Sequence, residues 1–336
     1  MTEKTIKLGH GSGGSLTRAL IEETLLRYFD SPLLAGLPDS AKVQLQGVPA
    51  AFTTDTYVVD PVFFPGGDIG KLAVYGTVND LAVVGAIPRF ISCALIIEEG
   101  LPQSDLRTIL SSMRQAADHA GTEVVTGDTK VVPRGKADSI FINTAGIGAF
   151  RPDSALPDAE MQAGDVVLLS GPVGDHGAAV LSAREGLNLD SAILSDCAPV
   201  TEVAQAILAG ARRTSFLRDV TRGGLVTILN EAVGGAPLGL LLREQDIPVR
   251  PGVRSICELL GLDPFYLACE GRVAAVIDAE SAPIVVEAVR RTPAGQDATI
   301  IGEATAEYAG EIVIETAFGT HRLVQMLSGE QLPRIC

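Results

Sequence analysis

Apolar residues recur along the chain in two alternating periods, and together they predict a mixed α/β protein. In 16–29, Leu20, Leu25, Leu26 and Phe29 fall roughly on one face, the spacing of an amphipathic helix. From Val43 to Phe150, β-like and helical stretches then alternate. Strands are expected over 50–59, 90–97, 124–132 and 139–149, with helices over 70–84 and 104–120. Gly121 supplies the stop for the second helix. The stretch 70–84 is apolar almost all round, so it is expected to be buried on every side.

A Pro-, Asp- and Ala-rich stretch over 151–164 reads as a linker. A second α/β unit follows it. Strands are expected over 165–170, 238–242, 272–278, 298–304 and 311–315. Helices are expected over 177–184, 201–211, 223–233 and 282–291. The resulting division is a Gly-rich segment and helix over 1–38, a first domain over 39–150, a second over 151–327, and an extended tail over 328–336.

Composition narrows the functional classes. The 336 residues carry a net charge of −15, and of the six lysines none lies beyond Lys136. A nucleic-acid binder needs a basic footprint, which this chain lacks, so DNA and RNA are not expected as partners. No apolar run reaches membrane-spanning length, since Asn79, Asp80 and Arg89 interrupt the longest, and 1–7 has no apolar signal core. Five cysteines without a CxxC spacing match no zinc pattern and suit a reducing cytoplasm.

Three aspartates draw attention. Asp80 interrupts the apolar helix beside Asn79, where a charge is costly to bury without a partner. Asp55 and Asp128 sit in an internal echo, DTYVV at 55–59 and DTKVV at 128–132, which predicts two similar strands with an aspartate at a comparable place. A carboxylate cluster repels a triphosphate unless Mg²⁺ bridges the two. The run GGDIGK at 66–71 has the wrong spacing for a P-loop and lacks the Ser or Thr after Lys71, so it reads as a turn opening a helix. Asp219 in DVTRGG stands just before a helix start, as an N-cap that would also suit an anion or metal site, and Glu270 at a strand start reads either as a loop carboxylate or as a general base. His10 and His176 stand isolated in Gly-rich turns. Cys336 is the last residue, on an arm whose nine residues reach about 30 Å when extended.

Taken together, these blocks resemble the HypE family of carbamoyl dehydratases. The resemblance runs nearly end to end. It is carried by HGSGG (10–14), TTDTYVVDPVFFPGGDIGKLAVYGTVNDLA (53–82), EEGLP (98–102), VVTGDTKVV (124–132), FINTAGIG (141–148), GDHG (174–177), DVTRGG (219–224), CELLGLD (257–263) and the terminal PRIC (333–336). It implies the two-domain fold of the aminoimidazole ribonucleotide synthetase and selenophosphate synthetase superfamily, with dimerisation through the first domain's sheet and ATP bound without a P-loop.

The same resemblance implies Mg²⁺ at Asp55, Asp80, Asp128 and Asp219, and nucleotide contacts from Asp39, Lys71, Asn79, Asp80, Asp128 and Asn143. It makes Lys130 and Glu270 the proton-handling pair and Cys336 the substrate-carrying residue. A carbamoyltransferase is expected to load Cys336, and an iron-scaffold complex of HypC–HypD type to accept the cyanide. ATP would convert the amide oxygen into a leaving group. A lysine acting as base must be partly neutral, so Lys130 is expected in a desolvated site. Two other functions compete: a superfamily synthase acting on a soluble substrate, for which Cys336 has no purpose, and a non-catalytic module that only presents its tail.

Overall fold

In the computed structural model, residues 6–11, 14–28, 31–34, 37–151, 156–187, 193–234, 236–327, 332 and 334–336 are described. The expectations for Ser12 and Gly13 of the Gly-rich run, for 152–155 of the linker, and for 328–331 and 333 of the tail lie outside them. No helix among the described residues is long and apolar enough to cross a membrane.

The first sheet is built from β1 (Ala41–Leu45), β2 (Val48–Tyr57), β5 (Ile87–Glu98), β6 (Glu123–Val132) and β7 (Ile140–Ala149), in the order β1-β2-β7-β5-β6. Only β5 and β6 run parallel, with α3 (Gln103–Ala120) as the crossover that this direction requires. Two short strands, β3 (Phe63–Phe64) and β4 (Gly67–Asp68), form a hairpin leading into α2 (Ile69–Val83). Asp68 caps α2 by accepting from the backbone N–H groups of Gly70 at 2.7 Å and Lys71 at 3.1 Å, so the GGDIGK run is indeed a helix-opening turn.

The apolar helix is buried as expected. One side of α2 packs on β2, β5 and β7, and another meets the second domain. Asn79, 1% exposed, fastens that junction: its amide donates to the Ala198 carbonyl at 3.1 Å and accepts from Val200 N–H at 2.9 Å.

The second sheet holds β8 (Val166–Leu169), β9 (Thr214–Asp219), β10 (Gly239–Arg243), β11 (Val273–Ile277), β12 (Thr299–Thr305), β13 (Ile312–Glu315) and β14 (His321–Val324), in the order β14-β13-β10-β12-β8-β11-β9. Alternate residues of its strands face opposite layers. Leu169, Ala274 and Val276 pack toward α6 (Gly224–Val233), whereas Leu168, Ala275 and Ile277 pack toward α5 (Thr201–Gly210) and α8 (Ala282–Arg290). Helices α1 (Ser15–Glu23), α4 (Asp175–Glu185) and α7 (Pro251–Leu260) complete the molecule.

Six of these elements, β1, the short β3 and β4, β9, α7 and β14, are absent from the sequence expectations. β9 ends in Arg218-Asp219, which obscures its alternation, and β1 and β14 are short and largely solvent-facing. The N-cap expected of Asp219 is corrected as well. α6 begins after Gly223, whose left-handed φ of +81°, with Gly224 at +67°, makes the turn between strand and helix. Asp219 ends β9 instead, with its carboxyl free of capping duty.

Candidate active site

Three carboxylates converge where the two domains meet. Asp39 comes from the segment before β1, Asp80 from α2 and Asp219 from the end of β9, and one oxygen of each lies within 4.8 Å of the others. Thr53 Oγ1 on β2 lies 2.8 Å from both the Asp39 carbonyl oxygen and Asp80 Oδ2. Arg218 pairs with Asp39.

Burial raises all three acids. Desolvation pushes Asp39 up to about 6 against the pull of Arg218, with Glu231 adding to the rise, and pushes Asp219 up to about 8, with Asp39 and Asp55 adding and Arg218 opposing. Asp80 rises well above the carboxylate range, again through burial and then through Asp219, Asp39 and Asp55. Asp39 Oδ2 is buried with no hydrogen-bond partner. A cluster of hard oxygen donors with an orphaned oxygen fits a divalent cation of the Mg²⁺ type. Beside it opens a cavity of about 840 Å³, walled by Ile21 of α1, Val84, Phe216, Arg218 and Arg222, a volume that suits a nucleotide-sized ligand.

The C-terminus reaches the same corner. Val58 N–H donates to the Cys336 carbonyl at 3.2 Å and Asp60 N–H to the Arg334 carbonyl at 3.2 Å, so the tail lies as an added strand along 58–60. Arg334 returns a bond from Nε to the Val58 carbonyl at 3.0 Å. Ile335 is 5% exposed within the first domain's core cluster. The Cys336 thiol faces the Glu270 carboxyl, with Arg222 and Asp55 as its other charged neighbours. Burial, Glu270 and Asp55 hold the thiol far above its ordinary value against the pull of Arg222. Glu270 is itself 3% exposed, and burial with Asp219, Asp196 and Asp55 nearby raises it well above the carboxylate range. Its Oε1 has no partner.

Other expected site residues are placed elsewhere. Asp128 and Lys130 pair with one another, Nζ to Oδ2 at 2.7 Å, on β6 at the sheet's outer edge. Asp128 therefore stands outside the acidic triad, and the Lys130 side chain is 68% exposed rather than desolvated. The echo has a local basis: Asp55 accepts from Thr56 N–H at 2.7 Å and Asp128 from Thr129 N–H at 2.8 Å. Only Asp55, however, looks toward the triad.

Asn79, expected as a nucleotide contact, braces the domain junction instead of facing the triad: its amide gives one bond to and takes one bond from backbone of the second domain. Asn143 lies on the sheet face opposite α2, where Nδ2 donates to Thr54 Oγ1, the Asp55 carbonyl and Thr56 Oγ1. Lys71 donates to the Gly66 carbonyl at 2.9 Å. It stands nine residues, about 13 Å of helix, from Asp80. His10 closes a local turn by accepting from Lys7 N–H at 2.9 Å. Sequence reasoning missed Arg218 and Arg222, although both flank the Asp219 that it did find.

Residues 38–150 match the AIR synthase related protein N-terminal domain family and 162–315 its C-terminal domain family. The carbamoyl dehydratase HypE of Rhodobacter capsulatus is 46% identical over 341 residues, covering 100% of this chain and 99% of that protein. A crystal structure of the hydrogenase maturation protein HypE in complex with ATP superposes with a TM-score of 0.81 at 47% identity, over 99% of this chain and 100% of that one. The structure of a HypE–HypF complex gives 0.85 at 43% identity, over 92% and 100%. With this agreement along the full length, and with two carboxylate-bearing domains meeting at a docked terminal cysteine, the chain belongs to the HypE family of carbamoyl dehydratases.

Proposed function

We propose that this protein dehydrates an S-carboxamide on Cys336 to the S-cyanate at the expense of ATP, supplying cyanide for [NiFe]-hydrogenase maturation. The observation that carries it is the placement of the Cys336 sulfur opposite Glu270, at the corner that also holds the acidic triad. Asp39, Asp80 and Asp219 are the residues that would hold Mg²⁺, which when bound offsets the charge of the nucleotide phosphates.

The tail's backbone bonds to Val58 and Asp60 hold the carboxamide in place, which supplies proximity. Transfer of the γ-phosphoryl group to the amide oxygen forms an O–P bond and breaks the bond to ADP. The amide nitrogen loses one proton in that step. Loss of the second N–H proton expels phosphate and leaves S–C≡N, so one water is removed overall, its oxygen carried off in the phosphate. Glu270 is the base for an N–H proton, because a buried carboxylate, once ionised, is a strong one. Arg222 faces the sulfur and steadies negative charge near it. Cys336 is half-buried, and the buried Glu270 beside it shields that side of the activated intermediate from water.

A homodimer is part of this function. Phe52, Ile147 and Phe90 are register partners across three strands of the first sheet, and they lie 45%, 39% and 46% exposed on the face away from α2. A second copy against this face and the β6 edge would take Lys130 and Asp128 out of water, and only from such an interface would Lys130 act in proton transfer. A HypF-type carbamoyltransferase is the loading partner, by similarity to the HypE–HypF complex, and a HypC–HypD-type complex the cyanide acceptor. Five free cysteines suit a reducing cytoplasm.

The test is mass spectrometry of carbamoylated protein given Mg-ATP. A loss of about 18 Da at Cys336, the water removed by the phosphorylated-amide route, is expected. An unchanged mass overturns the dehydratase assignment.

A further inference from the structure

The GDHG turn at 174–177 has no part in the chemistry above, yet its histidine touches the tail. His176 lies in the first turn of α4 and is fully buried. Its Nε2 is 2.7 Å from the Ile335 carbonyl oxygen, which only accepts, so Nε2 carries the proton. Its Nδ1 is 2.8 Å from Ser195 Oγ, which already accepts from Cys197 N–H at 3.1 Å and so gives its own proton to the ring. The Phe64 ring meets the imidazole edge-on at 5.3 Å. The histidine is thus a neutral, single-tautomer donor aimed at one backbone atom of the tail.

That atom is distinctive. The Arg334 and Cys336 carbonyls turn toward 58–60, and Arg184 adds a second donor to the Arg334 carbonyl at 2.8 Å. Such strand pairing is blind to sequence and repeats every two residues. A two-residue slip would move the sulfur by about 7 Å. The Ile335 carbonyl points the other way, to His176. If the tail withdrew by one repeat, Cys336 would occupy the place of Arg334 and the Ile335 carbonyl would no longer face His176. The buried Nε2–H would then lose its acceptor, which is costly.

We propose that His176 is a positioning residue for the tail, pinning the Ile335 carbonyl and thereby setting the register that brings the Cys336 sulfur to Glu270. Because Cys336 bears the reacting group in the function proposed above, this register governs the dehydration step, and Ser195 acts through the histidine by fixing its tautomer.

The experiment compares full-length wild type, His176→Leu, His176→Gln and Ser195→Ala. The rate of iodoacetamide labelling is read by mass spectrometry at Cys336 and, as an internal control of fold, at the half-buried Cys93. His176→Leu is expected to label about tenfold faster at Cys336, the effect of one lost buried hydrogen bond, with Cys93 unchanged. His176→Gln, whose amide donates from a similar place, is expected within about twofold of wild type, and Ser195→Ala about two- to threefold faster. Carbamoylated His176→Leu should also dehydrate about tenfold slower at saturating ATP with an unaltered KM for ATP. Equal Cys336 labelling in wild type and both the Leu and Ala variants, or Gln behaving as Leu does, overturns the assignment. Should His176→Leu fail to fold, the Ser195→Ala rate decides, and an unchanged value overturns it. Labelling needs no turnover, so a wild type that fails to lose water would sink the dehydratase function while leaving the register measurement intact.

Discussion

The Cys336 thiol faces the Glu270 carboxyl, and both groups hold their protons far above ordinary values in the docked tail. A thiol so held is a poor nucleophile, so loading of Cys336 belongs to a state with the tail outside, and the docked state belongs to dehydration. Glu270→Gln preserves the neutral side chain's shape and removes its capacity to take a proton. Single-turnover dehydration is expected to fall at least about 100-fold, while Cys336 labelling stays within about twofold of wild type. Full dehydration by this variant, followed by the mass change at Cys336, would remove Glu270 from the proton-transfer role.

The acidic triad sets a pH dependence whose sign is opposite to that of carboxylates held below their ordinary pKa. Asp39 and Asp219 are raised from 3.8 to about 6 and about 8, so the native state binds protons more tightly than the unfolded chain. Their contribution is complete below about pH 4 and is lost as pH rises through about 6 and then about 8. Thermal melts of metal-free protein should therefore show a falling Tm over that window. Mg²⁺ should raise Tm more at pH 8 than at pH 5.5, because protonated carboxylates are poor ligands. An equal gain at both pH values would exclude Asp39, Asp80 and Asp219 as the cation site.

How far the sequence discloses this site depends on which forces assembled it. Asp80 is legible because a charge in an all-apolar helix demands a partner, and the strands and helices around it announce themselves by period. Asp39 is not legible as a cation ligand: it lies in an irregular segment before the short β1, and only the docking of two domains brings it to Asp219. Asp128 shows the converse. It repeats the local contact of Asp55, but sheet order puts its strand at the outer edge, and no local pattern reports sheet order. Arg222 and His176 sit in glycine-rich turns without periodicity, so nothing in the chain tells them from ordinary turn residues until the C-terminus is seen beside them.

Asn79 gives a prediction that separates bracing from binding. Replacing it with Ala strips partners from the Ala198 carbonyl and the Val200 N–H at the domain junction. The expected cost is about 2 kcal/mol, seen as a Tm lower by a few degrees. The gain in Tm on adding Mg-ATP should match that of wild type if Asn79 only braces the junction. Loss of that gain would return Asn79 to the nucleotide contacts.

The exposed row of Phe52, Ile147 and Phe90 makes the dimer testable without reference to activity. In a two-fold assembly each residue is buried twice, once from each copy. Burying one Phe side chain is worth about 2 kcal/mol, so Phe90→Glu should cost about 4 kcal/mol per dimer and weaken self-association roughly a thousandfold. Phe90 lies on β5, away from the triad and the docked tail, and its partner Ile147 remains to pack locally. Sedimentation velocity at micromolar concentration should find a dimer for wild type and a monomer for Phe90→Glu, with unchanged circular dichroism. If the interface also shields Lys130, the monomeric variant should dehydrate carbamoylated Cys336 poorly while still labelling at Cys336 like wild type. A wild type that sediments as a monomer, or a Phe90→Glu variant that stays dimeric, would show that this face is not where two copies meet.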